Sequence, residues 1–210
     1  MYAADVKGRR LNFSVSGMLW QRSLVMLDQE TKSLWSHLLG ECLQGDLLGT
    51  KLETLPAEML TWSAWKKEHP DTTVLNLSRT NRNYNRDFYR RRQDFVIGFT
   101  GKFGIHHVSM ETLHNHPVLN GDARGRPLLF LFNRQSTGTR IYDRNVGDQT
   151  LTFQRSKNDK LQDDQTASVW SDDGMAIDGP LKGQRLNPVV AIPSYHRAWL
   201  KFHPESRELK

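Results

Sequence analysis

Tryptophan and histidine recur at matching spacing in two parts of the chain. The residues concerned are Trp35, Trp65, His69, Trp170, Trp199 and His203. In both parts a tryptophan lies four residues before a histidine that precedes proline, so the two rings would share one face of a helix. Such side chains, meeting between two similar halves, could line a ligand-binding cleft. A structural role is the alternative, because histidine complements the C-terminal dipole of a helix and proline ends the helix.

Four histidines lie close together in the stretch GIHHVSMETLHNHP: His106, His107, His114 and His116. Imidazole is a suitable ligand for zinc, copper or nickel, and His114 and His116 would point the same way if they lay on a strand. Asn115 and Pro117 favour a loop at that point instead. No acidic or thiolate ligand stands at an established spacing from them. The stretch is therefore a metal-site candidate, with an ordinary loop as its alternative.

Arginine alternates with aromatic residues in the stretch TNRNYNRDFYRRRQDF. The candidates for nucleic-acid binding are Arg82, Tyr84, Arg86, Arg90, Arg91 and Arg92. Rings can stack on bases while guanidinium groups meet phosphates, which is typical of proteins that bind single strands. The stretch is short and belongs to no recognisable nucleic-acid-binding fold. The sequence therefore favours a solvated connector that its aromatic rings hold against the rest of the protein.

The chain has one cysteine, Cys42, and therefore cannot form an internal disulfide or a Cys-x-x-Cys site. In the repeat described below, Cys42 corresponds to Ala176, so a small packing residue is expected there. The common sequence templates for nucleophilic, nucleotide-binding, zinc and calcium sites are absent. No cofactor is indicated, and the given chain is not expected to be catalytic by itself.

Much of the sequence occurs twice. Residues 31–70 and 166–204 share Trp-Ser, Gly-x-Leu-x-Gly-x-x-Leu and Trp-x-x-x-His-Pro elements in the same order. Upstream of these segments, Asp5, Leu11 and Phe13 correspond to Asp143, Leu151 and Phe153. A repeat of this length is not a short solenoid unit, and two copies indicate a pseudo-twofold arrangement with a shared core or cleft.

The elements that would position these residues are mainly strands. The stretches LNFSVSG, SLVMLD, LLFLFN and LTFQR are rich in β-forming apolar residues and are bounded by Gly, Asn and Asp. Each copy then ends in a short amphipathic helix, near residues 60–68 and 194–202. The sequence predicts an α+β, mostly β fold of two tandem duplicated β-rich halves, each closed by a short helix. The expected divisions are 1–75, a connector at 76–105, and 106–210, which can pack as one domain.

Composition narrows the choice of partners only slightly. A net charge of +6 and a pI near 9.5 favour anionic partners in general. No apolar run approaches the roughly 20 residues needed to span a bilayer. The first residues of the given chain lack the basic and then apolar layout of a signal peptide, and the sequence does not indicate a compartment.

The runs FSVSGMLWQRSLVMLDQETKSLWS and GTKLETLPAEMLTWSAWKKEHPDTTVL resemble a prokaryotic family catalogued as domain of unknown function 3179. The second copy, with WSDDGMAIDGPLKGQRL and WLKFHPE, resembles the C-terminal half of that family. The resemblance covers nearly the whole chain. It implies no particular reaction, because the family has no established activity.

The resemblance also implies a difference at the start of the chain. Members of the family typically carry a Cys-x-x-Cys-Gly-like element, with selenocysteine forms, just before the strand that begins here at Met1. The same place in the second copy, residues 132–138, reads FNRQSTG without cysteine. We therefore expect the chain to be a truncated form that starts after this element.

Three functions follow as expectations. A full-length form would be a thiol or selenol redox module or a metal-associated module. The alternative is a non-enzymatic ligand-binding module with a cleft between the two repeats. The second alternative is nucleic-acid binding through the Arg/Tyr-rich connector.

Overall fold

The computed structural model describes residues 1–55, 57–73, 91–101 and 103–209. Within these residues the chain is mostly β with three short α-helices, so the predicted predominance of strands is confirmed. The helices are α1 (Trp62–Glu68), α2 (Met110–Asn115) and α3 (His196–Phe202). None of the helices in this described part combines the length and the apolar character that crossing a bilayer requires.

Residues 1–55 and 57–73, here called the N-terminal unit, begin with a hairpin and continue into a four-stranded antiparallel sheet. The hairpin strands are β1 (Asp5–Val6) and β2 (Arg9–Arg10). The sheet strands, in spatial order, are β3 (Phe13–Trp20), β4 (Ser23–Asp28), β5 (Leu34–Ser36) and β6 (Cys42–Gln44). Helix α1 follows this sheet.

The middle of the chain supplies strands to two further sheets. The new strands are β7 (Phe95–Gly101), β8 (Gly104–Ser109), β9 (Val118–Asp122), β10 (Pro127–Phe132) and β11 (Thr139–Asp143). Strands β9, β10 and β11 form one antiparallel sheet with β10 in the centre. Residues 95–99 of β7, which fall within the predicted connector at 76–105, are buried in a sheet.

Residues 139–209, here called the C-terminal unit, repeat the layout of a hairpin and then a four-stranded sheet. The hairpin strands are β12 (Asn145–Val146) and β13 (Gln149–Thr150). The sheet strands are β14 (Phe153–Arg155), β15 (Leu161–Asp163), β16 (Val169–Trp170) and β17 (Ala176–Asp178). Two later strands, β18 (Ile192–Tyr195) and β19 (Arg207–Glu208), flank β7 and β8 in a sheet of order β18, β7, β8, β19.

The four-stranded sheets β3 to β6 and β14 to β17 each contain a buried bond between tryptophan and aspartate. The Trp35 Nε1 donates to Asp28 Oδ2 at 2.8 Å, and the Trp170 Nε1 donates to Asp163 Oδ2 at 2.9 Å. A buried indole N–H left without an acceptor would be costly, so the aspartate explains how the ring can be fully enclosed. The same bond is present at equivalent positions of the two units.

A tyrosine packs over a glycine at equivalent places in both units. A Cβ at Gly40 would lie 2.4 Å from the Tyr2 ring, and one at Gly174 would lie 2.7 Å from the Tyr142 ring. Both glycines also have positive φ, 62° and 75°. Glycine is therefore required at both places by the backbone conformation and by the lack of space.

The described residues contain three apolar clusters. One surrounds Trp35 in the N-terminal unit, and one surrounds Trp170 in the C-terminal unit. The third lies between the two central sheets, around Phe130 and Met110, and includes Leu113 of helix α2. A fully buried side chain of this size stabilises the fold by about 1.5–3 kcal/mol, so the central cluster firmly holds β7 to β11 together.

Candidate functional site

The predicted cleft residues Trp35 and Trp170 lie inside their sheets. Their exposed fractions are 0% and 2%. Each indole N–H is occupied by a buried aspartate, and each ring meets a phenylalanine edge-on at 5.6 Å between centroids. Such rings have no free surface for a ligand, so their contacts favour a packing role.

The other predicted pairs lie at helices α1 and α3. The Trp65 and His69 rings are 4.0 Å apart between centroids, and the Trp199 and His203 rings are 4.4 Å apart. Burial lowers the pKa of His203. The expected sharing of a helix face is thus present in both units. Of the six predicted residues, the structure brings together Trp65 with His69 and Trp199 with His203, while Trp35 and Trp170 lie in separate apolar clusters.

Trp65 and Trp199 each donate a hydrogen bond to a hydroxyl group seven residues later. Trp65 Nε1 donates to Thr72 Oγ1 at 3.0 Å, and Trp199 Nε1 donates to Ser206 Oγ at 2.8 Å. Ser206 is also 2.8 Å from His107 Nδ1, which resembles a serine–histidine dyad. In the N-terminal unit, Thr72 accepts the same kind of bond from Trp65, and among the described residues no histidine ring bonds to the Thr72 hydroxyl group. This repetition favours a role in closing the helix.

Trp65 and Trp199 differ in exposure. Trp199 is completely buried, and a Cβ at Gly98 of β7 would lie 2.4 Å from its ring. Trp65 is 37% exposed. Trp65 is therefore the member of this pair that can contact a ligand.

Trp65 lines a mainly apolar cavity of about 420 Å³, here called the apolar chamber. Its lining includes Met1, Ala57, Trp65, Ile141, Tyr142 and Ala191. Met1 and Ile141 are equivalent, because the Met1 carbonyl accepts from Leu55 N and the Ile141 carbonyl accepts from Val189 N. Ala57 and Ala191 are also equivalent, because each lies two residues after one of these donors. Equivalent residues of the two units therefore meet around one cavity.

A second cavity of about 390 Å³, here called the polar chamber, shares Glu58 and Arg140 with the apolar chamber. Its charged lining residues are Glu58, Glu68, Arg134, Arg140, Arg155, Asp159 and Asp172. We call the two chambers together the junction crevice. Each of the two chambers has a volume in the range of small-molecule sites in proteins.

Arg140 connects the two units at the centre of the crevice. It bonds to Glu58, to Glu68 at 3.2 Å and to Asp173 at 2.7 Å. Burial by itself would lower the pKa of Arg140, but the hydrogen bond and charge of Glu58, together with Asp173, raise the pKa above its ordinary value. Arg140 is thus a permanent cation held by carboxylates from both units.

The loop between β10 and β11, residues 133–138, forms one wall of the polar chamber. Asn133 Oδ1 accepts from the backbone N–H groups of Gln135 and Ser136, both at 2.9 Å. Thr137 has a φ of 62°, which is unusual for a β-branched residue. The Ser136 carbonyl accepts from Thr61 N at 2.9 Å, which attaches the start of α1 to this loop.

Two further side chains fix the wall of the apolar chamber. The Tyr142 hydroxyl donates to Asp172 O at 2.9 Å, and burial raises the pKa of Tyr142 to about 12. Thr139 Oγ1 is buried and has no hydrogen-bond partner among the described residues. Tyr142 is therefore a fixed, neutral ring in the chamber wall, and the Thr139 hydroxyl oxygen is enclosed behind the lining.

The four candidate metal ligands have different surroundings. His106 and His107 are neighbours on β8 and so point to opposite faces. His114 lies in α2, and His116 is the residue that ends it. Among the described residues, no group of three or more His, Cys, Asp or Glu side chains is arranged to hold a metal ion.

Most of the nucleic-acid candidates, Arg82, Tyr84, Arg86 and Arg90, lie outside the described residues. Arg91 pairs with Asp94 at 3.0 Å, and Arg92 begins a single 3₁₀ turn, Arg92–Asp94. These contacts are those of a turn that leads into β7.

Cys42 is buried and its Sγ donates to Gln44 O at 3.4 Å. Burial raises the pKa of this thiol, which disfavours the reactive thiolate. The expected packing role agrees with these contacts.

Sequence reasoning missed the residues at the centre of the crevice. Arg140 and Glu58 are 82 positions apart, and neither belongs to a motif. The available signal was the repeat itself: an alignment that pairs Tyr2 with Tyr142 would have pointed to the residues beside Tyr142.

Comparison with known proteins identifies the family. A family model described as "Protein of unknown function (DUF3179)" matches residues 1–94 and, separately, residues 91–206. No curated protein and no solved structure gives a significant match. Because the two matches span nearly the whole chain, the chain belongs to the DUF3179 family, a family of unknown function.

Proposed function

We propose that this protein is a non-enzymatic ligand-binding module made of two tandem duplicated β-rich halves, each closed by a short helix. The ligand would bind in the junction crevice. The observation that carries the proposal is the apolar chamber, where Met1 and Ala57 face their equivalents Ile141 and Ala191 beside the exposed ring of Trp65.

The duplication is supported by contacts that recur in both units. The Trp35–Asp28 and Trp170–Asp163 bonds are equivalent, and so are the Tyr2 and Tyr142 bonds to backbone carbonyls. Two successive matches to one family model agree with this pattern. A cleft between related halves is a common place for a ligand site.

Binding without catalysis is favoured by the pairing of the acidic side chains. Glu58 and Glu68 contact Arg140, and Asp172 contacts Arg155 at 2.7 Å. A carboxylate already paired with a guanidinium group is poorly placed to act as a general base. A thiol mechanism has no support among the described residues, because Cys42 is buried with a raised pKa.

The test is ligand-observed NMR with a set of small aromatic compounds. We expect members of the set to bind the protein with dissociation constants in the range of about 0.1–1 mM, as is usual for fragments in a chamber of this size. The substitution Trp65→Ala should abolish this binding, because it removes the exposed ring from the chamber.

The matched control is Trp62→Ala on the same helix. Trp62 is 51% exposed but is not among the residues that line the apolar chamber. This variant should bind the same compounds as the unsubstituted protein. If Trp62→Ala and Trp65→Ala lost binding equally, the proposed position of the site would be wrong.

A further inference from the structure

The polar chamber is locally acidic although the protein as a whole is basic. Its charged groups are Glu58, Glu68, Asp159, Asp172, Arg134, Arg140 and Arg155, and Asp173 pairs with Arg140. Four carboxylates and three guanidinium groups therefore line the chamber, and with Asp173 beside it the carboxylates exceed the guanidinium groups by two, whereas the whole chain carries +6. The charged side chains nearest to a ligand in the chamber are therefore mostly carboxylates.

The arginines of the chamber already donate their hydrogen bonds to protein groups. Arg134 donates to the carbonyls of His114 and Asn115, at 2.7 and 3.3 Å, at the end of α2. Arg155 donates to Asp159 O at 3.0 Å and to Asp172 Oδ1 at 2.7 Å. Part of the five N–H donors of each of these two arginines is thus already used by protein groups, and Arg140 is held by carboxylates.

The carboxylates keep spare capacity to accept hydrogen bonds. The side chains of Asp159, Asp173 and Glu68 are 93%, 73% and 50% exposed. A carboxylate has about four lone-pair positions, and one contact with arginine leaves others free. The chamber therefore offers acceptors and negative charge to an incoming group.

The neighbouring apolar chamber offers a surface for an apolar body. Trp65, which is 37% exposed, lines this chamber together with Ile141 and Ala191. The face of an indole ring also attracts cations. Met1 also lines this chamber.

From these observations we infer that the junction crevice binds a cationic amphiphile: an aromatic or aliphatic body that carries an ammonium group. The body lies in the apolar chamber, and the ammonium group donates to the carboxylates of the polar chamber. This inference rests on the proposed function and adds the charge of the ligand to it.

The test compares three probes with the same phenyl body: 2-phenylethylamine, 2-phenylethanol and 3-phenylpropionate. Dissociation constants are measured at pH 8 by NMR titration with the full chain. We expect the amine to bind roughly five-fold more tightly than the alcohol, with the carboxylate weakest, since a partly exposed ion pair contributes modestly. Added salt should reduce the advantage of the amine and leave the alcohol unaffected.

Variants that remove single negative charges test whether the carboxylates of the polar chamber cause the preference for the amine. Glu68→Gln and Asp159→Asn should each lower the preference for the amine to roughly two-fold. The control is Asp46→Asn, an exposed carboxylate in the N-terminal unit that does not line the crevice, and it should keep the full preference. The thermal melting curve of each variant shows that it is folded.

The outcomes separate the two proposals. Equal binding of the three probes, tighter binding of the carboxylate, or a preference unchanged in both variants would overturn the inferred ligand charge while the crevice remains a binding site. Failure of every probe to bind at millimolar concentration would overturn the proposed function as well.

Discussion

Asp163 shows how one buried carboxylate can organise a sheet. Its side chain accepts from Thr166 N at 2.6 Å, from Thr166 Oγ1 at 2.9 Å and from Trp170 Nε1 at 2.9 Å. These bonds close the turn between β15 and β16 and fix the indole ring in the core. Asp28 makes the equivalent bonds to Thr31 and Trp35 in the other unit.

Asp163→Asn tests this role. The amide keeps the shape of the side chain but loses the charge and offers one acceptor oxygen in place of two. We expect the free energy of unfolding to fall by about 1.5–3 kcal/mol, the usual value of hydrogen bonds to a charged group. Urea denaturation measures the change, and the exposed neighbour Asp164 gives the control, Asp164→Asn, with a change below about 1 kcal/mol.

Because His107 is buried, we expect it to make the stability of the fold depend on pH. Burial lowers its pKa, His196 and His106 lower it further, and Glu208 acts in the opposite direction. The unfolded chain, with a histidine pKa of about 6.5, therefore binds a proton more readily than the folded protein. The stabilisation that results is present above about pH 6.5 and is lost as the pH falls through that value.

His107→Gln should reduce this dependence. We expect the melting temperature of the unsubstituted protein to fall between pH 7.5 and pH 5, and the variant to show a smaller fall. His116→Gln, at the exposed end of α2, is the control and should behave like the unsubstituted protein. A fall of the same size in all three proteins would show that His107 does not contribute.

At the scale of elements, the environment of a helix decides what its tryptophan does. Helices α1 and α3 have the same Trp-x-x-x-His-Pro ending and the same bond from the indole to a later hydroxyl group. Strand β18 leads into α3 and pairs with β7, whose Gly98 lies against the Trp199 ring. Within the described residues, α1 is not preceded by a strand of this kind, and Trp65 is left partly exposed.

Gly98→Ala tests the contact between β7 and α3. The added Cβ would lie 2.4 Å from the Trp199 ring, so the helix or the strand must shift. We expect a loss of about 1–3 kcal/mol of unfolding free energy, as for overpacking in other cores. Gly101→Ala on the same strand is the matched control, because its Cβ would have no neighbour closer than 4.0 Å; equal losses in the two variants would contradict the packing argument.

At the scale of the whole molecule, the two units are joined through Arg140. Glu58 and Glu68 come from the N-terminal unit, and Asp173 comes from the C-terminal unit. The bond from Thr61 N to Ser136 O lies beside this cluster. The crevice depends on these long-range contacts for its shape.

Arg140→Gln should loosen the junction more than it destabilises either unit. The pairs are partly exposed, so we expect a loss of only about 1 kcal/mol in unfolding free energy. Hydrogen exchange at the Thr61 amide should become at least several-fold faster, because local opening becomes easier. Arg197→Gln, on the exposed side of α3, should leave this exchange rate unchanged; no change in the Arg140 variant would contradict the proposed connection.

The sequence by itself determined the local features of this protein. Apolar β-forming stretches such as SLVMLD became strand β4, and the helices α1 and α3 lie within the predicted ranges 60–68 and 194–202. These features follow from the side-chain period and from the residues that end an element, which are readable along the chain. The recurring Trp-x-x-x-His-Pro segments were also readable along the chain, and two successive matches to one family model agree with them.

Only the tertiary structure decided which of these residues are accessible. Trp65 and Trp199 have nearly the same local sequence, yet Trp199 is buried by a strand about 100 positions away and Trp65 is not. The crevice likewise depends on the meeting of Glu58 and Arg140, which are 82 positions apart. Contacts of this kind are fixed by the packing of whole elements against one another, and a local sequence pattern carries no record of that packing.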